Sequence, residues 1–269
     1  MTPEATAITA LARYKAMHRC QKLCDILWPE RYNPGQEKDF NSRERIHLAP
    51  RDQWEYHASA IQFPEWQQQD PRPLFWISGP ESAEGLSWVS SFSVDLIDAL
   101  AINESLATTY VFCRNGWDQL WTPALVLKRM IAQVLEAFHQ IVIDHVSVLS
   151  TRRFRDLGDN AWEAWDLFCD ILGILQDIMT QRGSELYIVI DRLDLCKTID
   201  EDFSVKSHFI PLLQGLSQNY KATRVVLTST VQAERLETLH QGEKLLRSVW
   251  IDVEHAVSMD DANAYDEWD

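Results

Sequence analysis

Two aspartates at the end of an apolar run are the strongest candidates for chemistry in this sequence. Asp191 follows the run Tyr-Ile-Val-Ile at 187–190, and Asp194 comes three residues later. A carboxylate at the carboxyl end of a parallel strand lies where ligands bind in open α/β sheets. There Asp191 could hold Mg²⁺ through water, and Asp194 could orient an attacking water. The alternative is that Asp191 only opens a turn after a buried strand.

A small-residue loop upstream is the candidate for the other half of such a site. Residues 74–87 read Leu-Phe-Trp-Ile-Ser-Gly-Pro-Glu-Ser-Ala-Glu-Gly-Leu-Ser, which predicts a strand and a loop, and an amphipathic helix follows. This order is typical of a phosphate-binding loop, whose backbone N–H groups and helix N-terminus face an anion. An ordinary strand-turn-helix is the alternative. The candidate nucleotide-binding residues are Gly79, Pro80, Ser82, Gly85, Leu86 and Ser87.

The loop departs from the pattern G-x-x-x-x-G-K-[ST] in either of two registers. If Gly79 is the first glycine, Gly85 takes the lysine position. With one residue inserted, Leu86 takes that position and Ser87 keeps the hydroxyl that would hold Mg²⁺. Because neither register contains the lysine and its charged hydrogen bonds, phosphate binding should be about tenfold to a hundredfold weaker. Hydrolysis should suffer more, since that lysine also stabilises developing charge.

A third candidate stretch is the apolar run at 224–230, which ends in hydroxyl residues. Thr228 and Ser229 could meet a γ-phosphate or its attacking water if the run is a strand of the same sheet. The alternative is that they are ordinary polar residues at the end of a strand.

The elements that would position these residues alternate along the chain. Strand candidates are separated by amphipathic helical patterns, which predicts an α/β fold with a five-stranded, mainly parallel sheet. The strand candidates are 74–78, 108–113, 186–191, 223–229 and 249–253. Helices are predicted at 5–28 and 52–61, so residues 1–70 are expected to form a helical N-terminal extension before an α/β domain at 71–269. Much of the apolar surface of the first helix is assigned to six residues: Leu11, Tyr14, Met17, Leu23, Ile26 and Leu27.

Composition and charge exclude some classes of binding partner and indicate where the protein is located. The net charge of −15 argues against binding nucleic acid or an anionic membrane surface. Seven acidic residues and no Lys or Arg follow Arg247. The first residues lack an apolar segment typical of a secretory leader, so none is expected, and without a run of about 18 apolar residues no membrane span is expected. Five scattered cysteines fit a reduced protein, so a cytoplasmic location is expected.

Cysteines and tryptophans are two further groups of side chains that could form a site or a contact surface. Cys20 and Cys24 lie one helical turn apart near His18, but no second Cys/His pair completes a zinc site. Most tryptophans are at helix or strand positions that fit a core: Trp76, Trp88, Trp162, Trp165 and Trp250. Trp117 and Trp121 lie in a polar loop after the second strand and either form an exposed contact or anchor that loop to the core.

Together these stretches resemble the NACHT-type NTPases of the STAND class of signalling ATPases, as found in fungal incompatibility and nephrocystin-like proteins. The most specific part is Tyr-Ile-Val-Ile-Asp-Arg-Leu-Asp-Leu-Cys at 187–196, which is similar to the family's Walker B strand. The resemblance covers about residues 19–265 and implies a three-layer P-loop NTPase-like core. It also implies that ATP or GTP with Mg²⁺ would bind at the loop, with Ser87 and Asp191 as the metal-holding residues.

This sequence departs from that family at three functional positions. The lysine of the loop is absent, Leu195 replaces the usual acid after Asp194, and Thr230 replaces the arginine expected after the fourth strand. The leading hypothesis is therefore a degenerate module that binds nucleotide weakly or not at all and acts through protein partners, including NACHT-family homo- or hetero-oligomers. The second is a slow, Mg²⁺-dependent ATP or GTP switch with Asp194 as the catalytic residue. A third, an α/β enzyme with Ser82 as nucleophile, lacks the G-x-S-x-G elbow.

Overall fold

A parallel four-stranded sheet forms the centre of the described part of the chain. The computed structural model describes residues 3–27, 35–36, 38–39, 63–64, 66–68, 74–79, 87–114, 120–197 and 203–230. The strands are β1 (Phe75–Ser78), β2 (Leu106–Phe112), β3 (Glu185–Asp191) and β4 (Thr223–Ser229). Their order is β1-β4-β3-β2, and every neighbouring pair is parallel. The carboxyl end of β4 therefore lies between the carboxyl ends of β1 and β3.

Helices connect the strands and precede the sheet. They are α1 (Pro3–Leu27), α2 (Trp88–Ala101), α3 (Pro123–Ala137), α4 (Ile141–Asp144), α5 (Thr151–Asp156), α6 (Ala161–Arg182) and α7 (Ile210–Asn219), with a 3₁₀ turn at Leu193–Leu195 and a π-helical turn at Val205–Phe209. Local sequence sets their ends. The Asn160 side chain accepts hydrogen bonds from the first N–H groups of α6, and Gly183 ends that helix in the left-handed conformation at φ 62°.

The two faces of the sheet bury different sets of side chains. Along β3, Tyr187 and Val189 pack in the cluster that contains α2, whereas Ile188 and Ile190 pack in the cluster that contains α1, α3, α6 and α7. Alternation with a period of two is what a strand imposes on its side chains. Because both faces are covered, nearly every residue of β3 is apolar. The described elements therefore form three layers: α2 on one face, the sheet in the middle, and a group of helices on the other face, namely α1, α3, α6 and α7.

The sequence predicted most of these elements. The four described strands coincide with four predicted ones to within two residues at each end, and α1 confirms the predicted N-terminal helix. The predicted fifth strand at 249–253 and the predicted helix at 52–61 lie outside the described residues. Among the helices of the described part, none is long and apolar enough to cross a membrane.

The predicted placements of apolar side chains are confirmed only in part. In α1, Leu23 and Leu27 are buried, whereas Leu11, Tyr14 and Met17 are 55%, 66% and 53% exposed, because the buried face of the helix runs through Ala16, Cys20 and Leu23. Of the tryptophans assigned to the core, Trp162 is 39% exposed at the start of α6, and the buried ones are Trp76, Trp88 and Trp165. Trp117 and Trp250 lie outside the described residues. For Trp121 the anchoring alternative is confirmed: it is buried, and its Nε1 donates to Arg114 O at 3.0 Å.

The amino ends of the strands are tied to the lead-in segment that precedes β1. The Arg224 guanidinium donates to both carboxylate oxygens of Glu185, at 2.9 and 3.2 Å, and lies over the Trp66 ring at 5.6 Å. Gln67 donates to the Tyr187 hydroxyl at 2.9 Å. These contacts hold the lead-in against the end of the sheet opposite to the candidate site.

Candidate functional site

The candidate site lies at the carboxyl edge of the sheet, where β1, β4 and β3 end side by side. Ser78 pairs with Ser229, and the backbone N–H of Gly79 donates to Ser229 O at 3.1 Å. The Ser229 hydroxyl accepts a hydrogen bond from Trp76 Nε1 at 2.9 Å. Ser229 therefore joins the ends of β1 and β4, with its hydroxyl used inside the protein.

Asp191, the last residue of β3, is 2% exposed and surrounded by hydroxyl groups. Its Oδ2 accepts a hydrogen bond from Ser90 Oγ at 2.7 Å. Its Oδ1 accepts from Ser93 Oγ at 2.8 Å and from Thr228 Oγ1 at 2.5 Å. Ser90 and Ser93 belong to α2, and Thr228 belongs to β4. A single carboxylate thus joins three elements, and both of its oxygens are engaged.

The electrostatics of this carboxylate reflect its burial. Removal from water raises the pKa of Asp191, and the hydrogen bonds from Thr228, Ser90 and Ser93 and the positive charge of Arg192 only partly offset that rise. A buried carboxylate is tolerated when its oxygens are hydrogen-bonded. The three hydroxyls meet that requirement within the protein.

The second acid, Asp194, is held in a separate network. The Arg192 guanidinium donates to it, with Nη2 to Oδ2 at 3.2 Å, and the two side chains are only 7% and 5% exposed. Thr230 donates to the same carboxylate twice, from its N at 3.1 Å and from its Oγ1 at 2.9 Å. Asp194 therefore fixes the residue that follows β4.

Arg192 reaches that position through an unusual backbone conformation. Its φ is 56°, which makes it the one non-glycine residue with a positive φ in the described part of the chain. Its backbone N–H donates to Thr228 Oγ1 at 3.1 Å, and the same oxygen donates to Asp191. The left-handed turn costs about 1 kcal/mol for a side chain of this kind. The hydrogen bonds and the buried ion pair offset that cost.

A tryptophan fills the space next to the first glycine of the loop. Trp88, the first residue of α2, is 1% exposed, and a Cβ built on Gly79 would lie 2.1 Å from its Nε1. The backbone of Gly79 therefore touches the indole ring directly. Trp88 Nε1 is buried and has no hydrogen-bond partner among the described residues.

The predicted site residues are only partly brought together. Asp191 meets Thr228, and Gly79 meets Ser229, while Asp194 lies in its own network. Ser87 is the N-cap residue of α2 and is 7% exposed. Pro80, Ser82, Gly85 and Leu86 lie outside the described residues.

The sequence did not predict the four residues that donate hydrogen bonds to the two aspartates from outside the predicted site: Ser90, Ser93, Arg192 and Thr230. For the two serines a signal existed. They are spaced i, i+3 on α2, so they share one helix face, and that face is otherwise apolar. The two cations of α3 both have partners within the protein. Lys128 pairs with Asp159 at 3.1 Å, and Arg129 stacks on Trp121 at 4.0 Å.

Comparison with protein families places the chain. Residues 54–230 match the family model described as nephrocystin 3, N-terminal. The chain belongs to this nephrocystin family. The match confirms the nephrocystin-like part of the sequence resemblance, and it takes in the lead-in and all four described strands of the nephrocystin-like domain. Neither the curated proteins nor the solved structures contain a significant match to the chain.

The nephrocystin-like match leaves α1 outside the family region. In α1, Cys20 and Cys24 are buried with their Sγ atoms 3.9 Å apart. Within the described residues no group of three or more His, Cys, Asp or Glu side chains is arranged to hold a metal ion.

Proposed function

We propose that this nephrocystin-like domain acts by binding other proteins and does not hydrolyse nucleotide at a useful rate. The observation that supports this proposal most is that the Asp191 carboxylate is already hydrogen-bonded within the protein. The carboxylate is 2% exposed, and both oxygens already accept hydrogen bonds from side chains of α2 and β4. A residue that serves to join three elements is poorly suited to exchange ligands during turnover.

The residues as placed do not fit a Mg²⁺-nucleotide at this edge. Mg²⁺ needs a near-octahedral set of oxygens and keeps several waters. At Asp191 an ion and its waters would have to displace at least the Ser90 hydroxyl, and Trp88 fills the space beside Gly79. No lysine is present between residues 79 and 87 to meet the phosphates. Any nucleotide would therefore bind weakly, through backbone amides.

The contacts of Asp194 also argue against nucleotide hydrolysis. Both oxygens of Asp194 accept hydrogen bonds from Arg192 and Thr230, and the carboxylate is 5% exposed. Breaking a buried pair of this kind costs about 3–5 kcal/mol. Asp194 is thus held as a structural acid, and the position of the arginine expected after β4 is used by Thr230 to bind it.

Protein partners are the remaining route to function. The family match supports a nephrocystin-like module, and we propose that its partners include other NACHT-like domains, in homo- or hetero-oligomers. The retained sheet and the buried polar networks would then serve to keep a binding surface in shape.

The alternative function is a slow Mg²⁺-dependent ATP or GTP switch. One observation favours it: Trp88 Nε1, at the first turn of α2, is a buried donor with no acceptor. A ligand at that helix end would supply an acceptor. In addition, Ser90 is only half-buried, so it is the hydroxyl that leaves Asp191 most readily.

A turnover measurement on the full chain tests the proposal. Phosphate release from ATP and GTP with Mg²⁺ is compared between the wild type and D191A, with D191N as a second variant that keeps the shape of the side chain. We expect equal background rates in all three. Turnover above background in the wild type that is lost in both variants would establish the switch instead.

A further inference from the structure

Helix α1 has a second apolar face that no other described element covers. Its C-terminal half packs through Ala16, Cys20 and Leu23 against α3, α4 and α5. Residues 9–15 are exposed all around the helix. On the side away from the core, Leu11, Tyr14 and Met17 lie 55%, 66% and 53% exposed at a spacing of three residues. These three side chains are called the α1 patch.

Positive charge flanks the α1 patch. Arg13, Lys15 and Lys22 are exposed, and no acidic side chain lies between residues 9 and 22. The whole chain carries a net charge of −15. The α1 patch is thus a basic and apolar surface on an acidic protein. Such a surface favours a partner that is both apolar and acidic.

The chain itself contains one segment with that composition. Residues 254–269 include six acidic residues and no Lys or Arg, and among them stand Val257, Met259, Tyr265 and Trp268. Acidic residues are thus interleaved with large apolar ones. The segment matches the α1 patch in both charge and hydrophobicity.

We propose that the acidic segment 254–269 of the same chain binds the α1 patch. The apolar side chains would cover Leu11, Tyr14 and Met17, and the acids would meet Arg13, Lys15 and Lys22. The chain between the two is long enough: β4 ends at Ser229, and the 24 residues from there to 254 span up to about 80 Å when extended. An intramolecular partner also acts at an effective concentration of about 1 mM, so weak contacts suffice.

Zero-length crosslinking of the full chain tests this binding. A carbodiimide condenses a lysine amine with a nearby carboxylate to an amide, with loss of water, and mass spectrometry identifies the joined peptides. The expected products join Lys15 or Lys22 to residues 254–269 within the monomer. Lys128 and Asp159, whose charged atoms lie 3.1 Å apart, provide an internal reference for the reaction.

Two variants separate the patch from general surface effects. The double variant L11E/Y14E should lower the yield of the α1 crosslinks about tenfold, because it replaces apolar contact with repulsion from the acids. The matched control is I102E, which changes a side chain that is 84% exposed at the end of α2 and should leave the yield unchanged. Raising the salt to about 0.5 M should also lower the yield, since exposed charges are then screened.

Three results would overturn the proposal. The first is absence of α1 crosslinks to 254–269 while the Lys128–Asp159 product forms. The second is crosslinks found only in covalent dimers, which would assign the patch to a second copy of the chain. The third is an equal loss of yield in L11E/Y14E and I102E.

Discussion

The Ser93 hydroxyl lies 2.8 Å from Asp191 Oδ1 and connects the second turn of α2 to the end of β3. Ser93 is completely buried, and its Oγ also lies 3.1 Å from Val89 O. A hydroxyl has only one hydrogen to donate. Because a carboxylate is a stronger acceptor than a backbone carbonyl, Ser93 donates to Asp191. The contact means that Asp191 joins α2 to the end of β3.

Removing the Ser93 hydroxyl should therefore destabilise the protein. In S93A, Asp191 keeps its burial and loses one of three donors, which should cost about 1.5–3 kcal/mol of the free energy of unfolding. Urea denaturation of the full chain measures it. The matched control is S217A, because the Ser217 hydroxyl is buried without a hydrogen-bond partner and its loss should cost nothing. Equal effects in both variants would contradict the Asp191 network.

The pH dependence of stability should reveal the raised pKa of Asp191. Burial raises this pKa in the folded protein, whereas the unfolded value is about 3.9. The folded state thus holds the proton to higher pH, and the resulting stability is lost as pH rises through the folded pKa. The free energy of unfolding of the wild type minus that of D191N should therefore fall as the pH rises above about 4. A difference that rises with pH would mean that the hydroxyls outweigh burial.

The contact between Gly79 and Trp88 should make the first loop glycine intolerant of any side chain. A Cβ at residue 79 would lie 2.1–2.7 Å from three atoms of the indole ring, so G79A should cost about 3 kcal/mol of the free energy of unfolding. G173A is the matched control: nothing lies within 4 Å of its new Cβ on the exposed face of α6, and it should stabilise by about 1 kcal/mol. A neutral G79A would show that the ring moves away readily.

The buried pair of Arg192 and Asp194 should behave differently from a surface pair. R192A leaves the buried Asp194 carboxylate with only the Thr230 hydrogen bonds and should cost about 3–5 kcal/mol. The exposed pair of Arg152 and Asp156, 90% and 63% exposed, is the comparison, and R152A should cost less than about 1 kcal/mol. Chemical denaturation of both variants decides, and similar small losses would remove the structural role given to Asp194.

The sequence was sufficient for the sheet and for the position of Asp191. Apolar runs between amphipathic helices predicted five strands, of which four coincide with the described strands and one lies outside the described residues. The carboxyl ends of parallel strands must share one edge. The contact between Thr228 and Asp191 was not predicted, because the sequence offered Thr228 only as a hydroxyl that could face a phosphate. These successes depend on periodicity and topology, which the order of residue types fixes.

The contacts that decide the role of Asp191 were not predictable in the same way. Ser90 and Ser93 look like tolerated polar residues until the rotation of α2 is known, because a helix can turn any face to the sheet. Trp88 was expected in the core, but its approach to Gly79 depends on where α2 begins. The exposed half of α1 was missed because its apolar residues, including Leu11, fit a helix stripe without showing which stripe is buried.

The most direct test of the central claim, that Asp191 is used by the protein and not by a metal-bound nucleotide, is a ligand titration of the full chain. ATP, GTP and ADP are added up to millimolar concentration, with and without Mg²⁺, and the melting temperature and the heat of binding are recorded for the wild type and D191N. A ligand that binds the folded state raises the melting temperature by mass action. We predict no Mg²⁺-dependent rise in either protein. A rise in the wild type that requires Mg²⁺ and disappears in D191N would contradict the account.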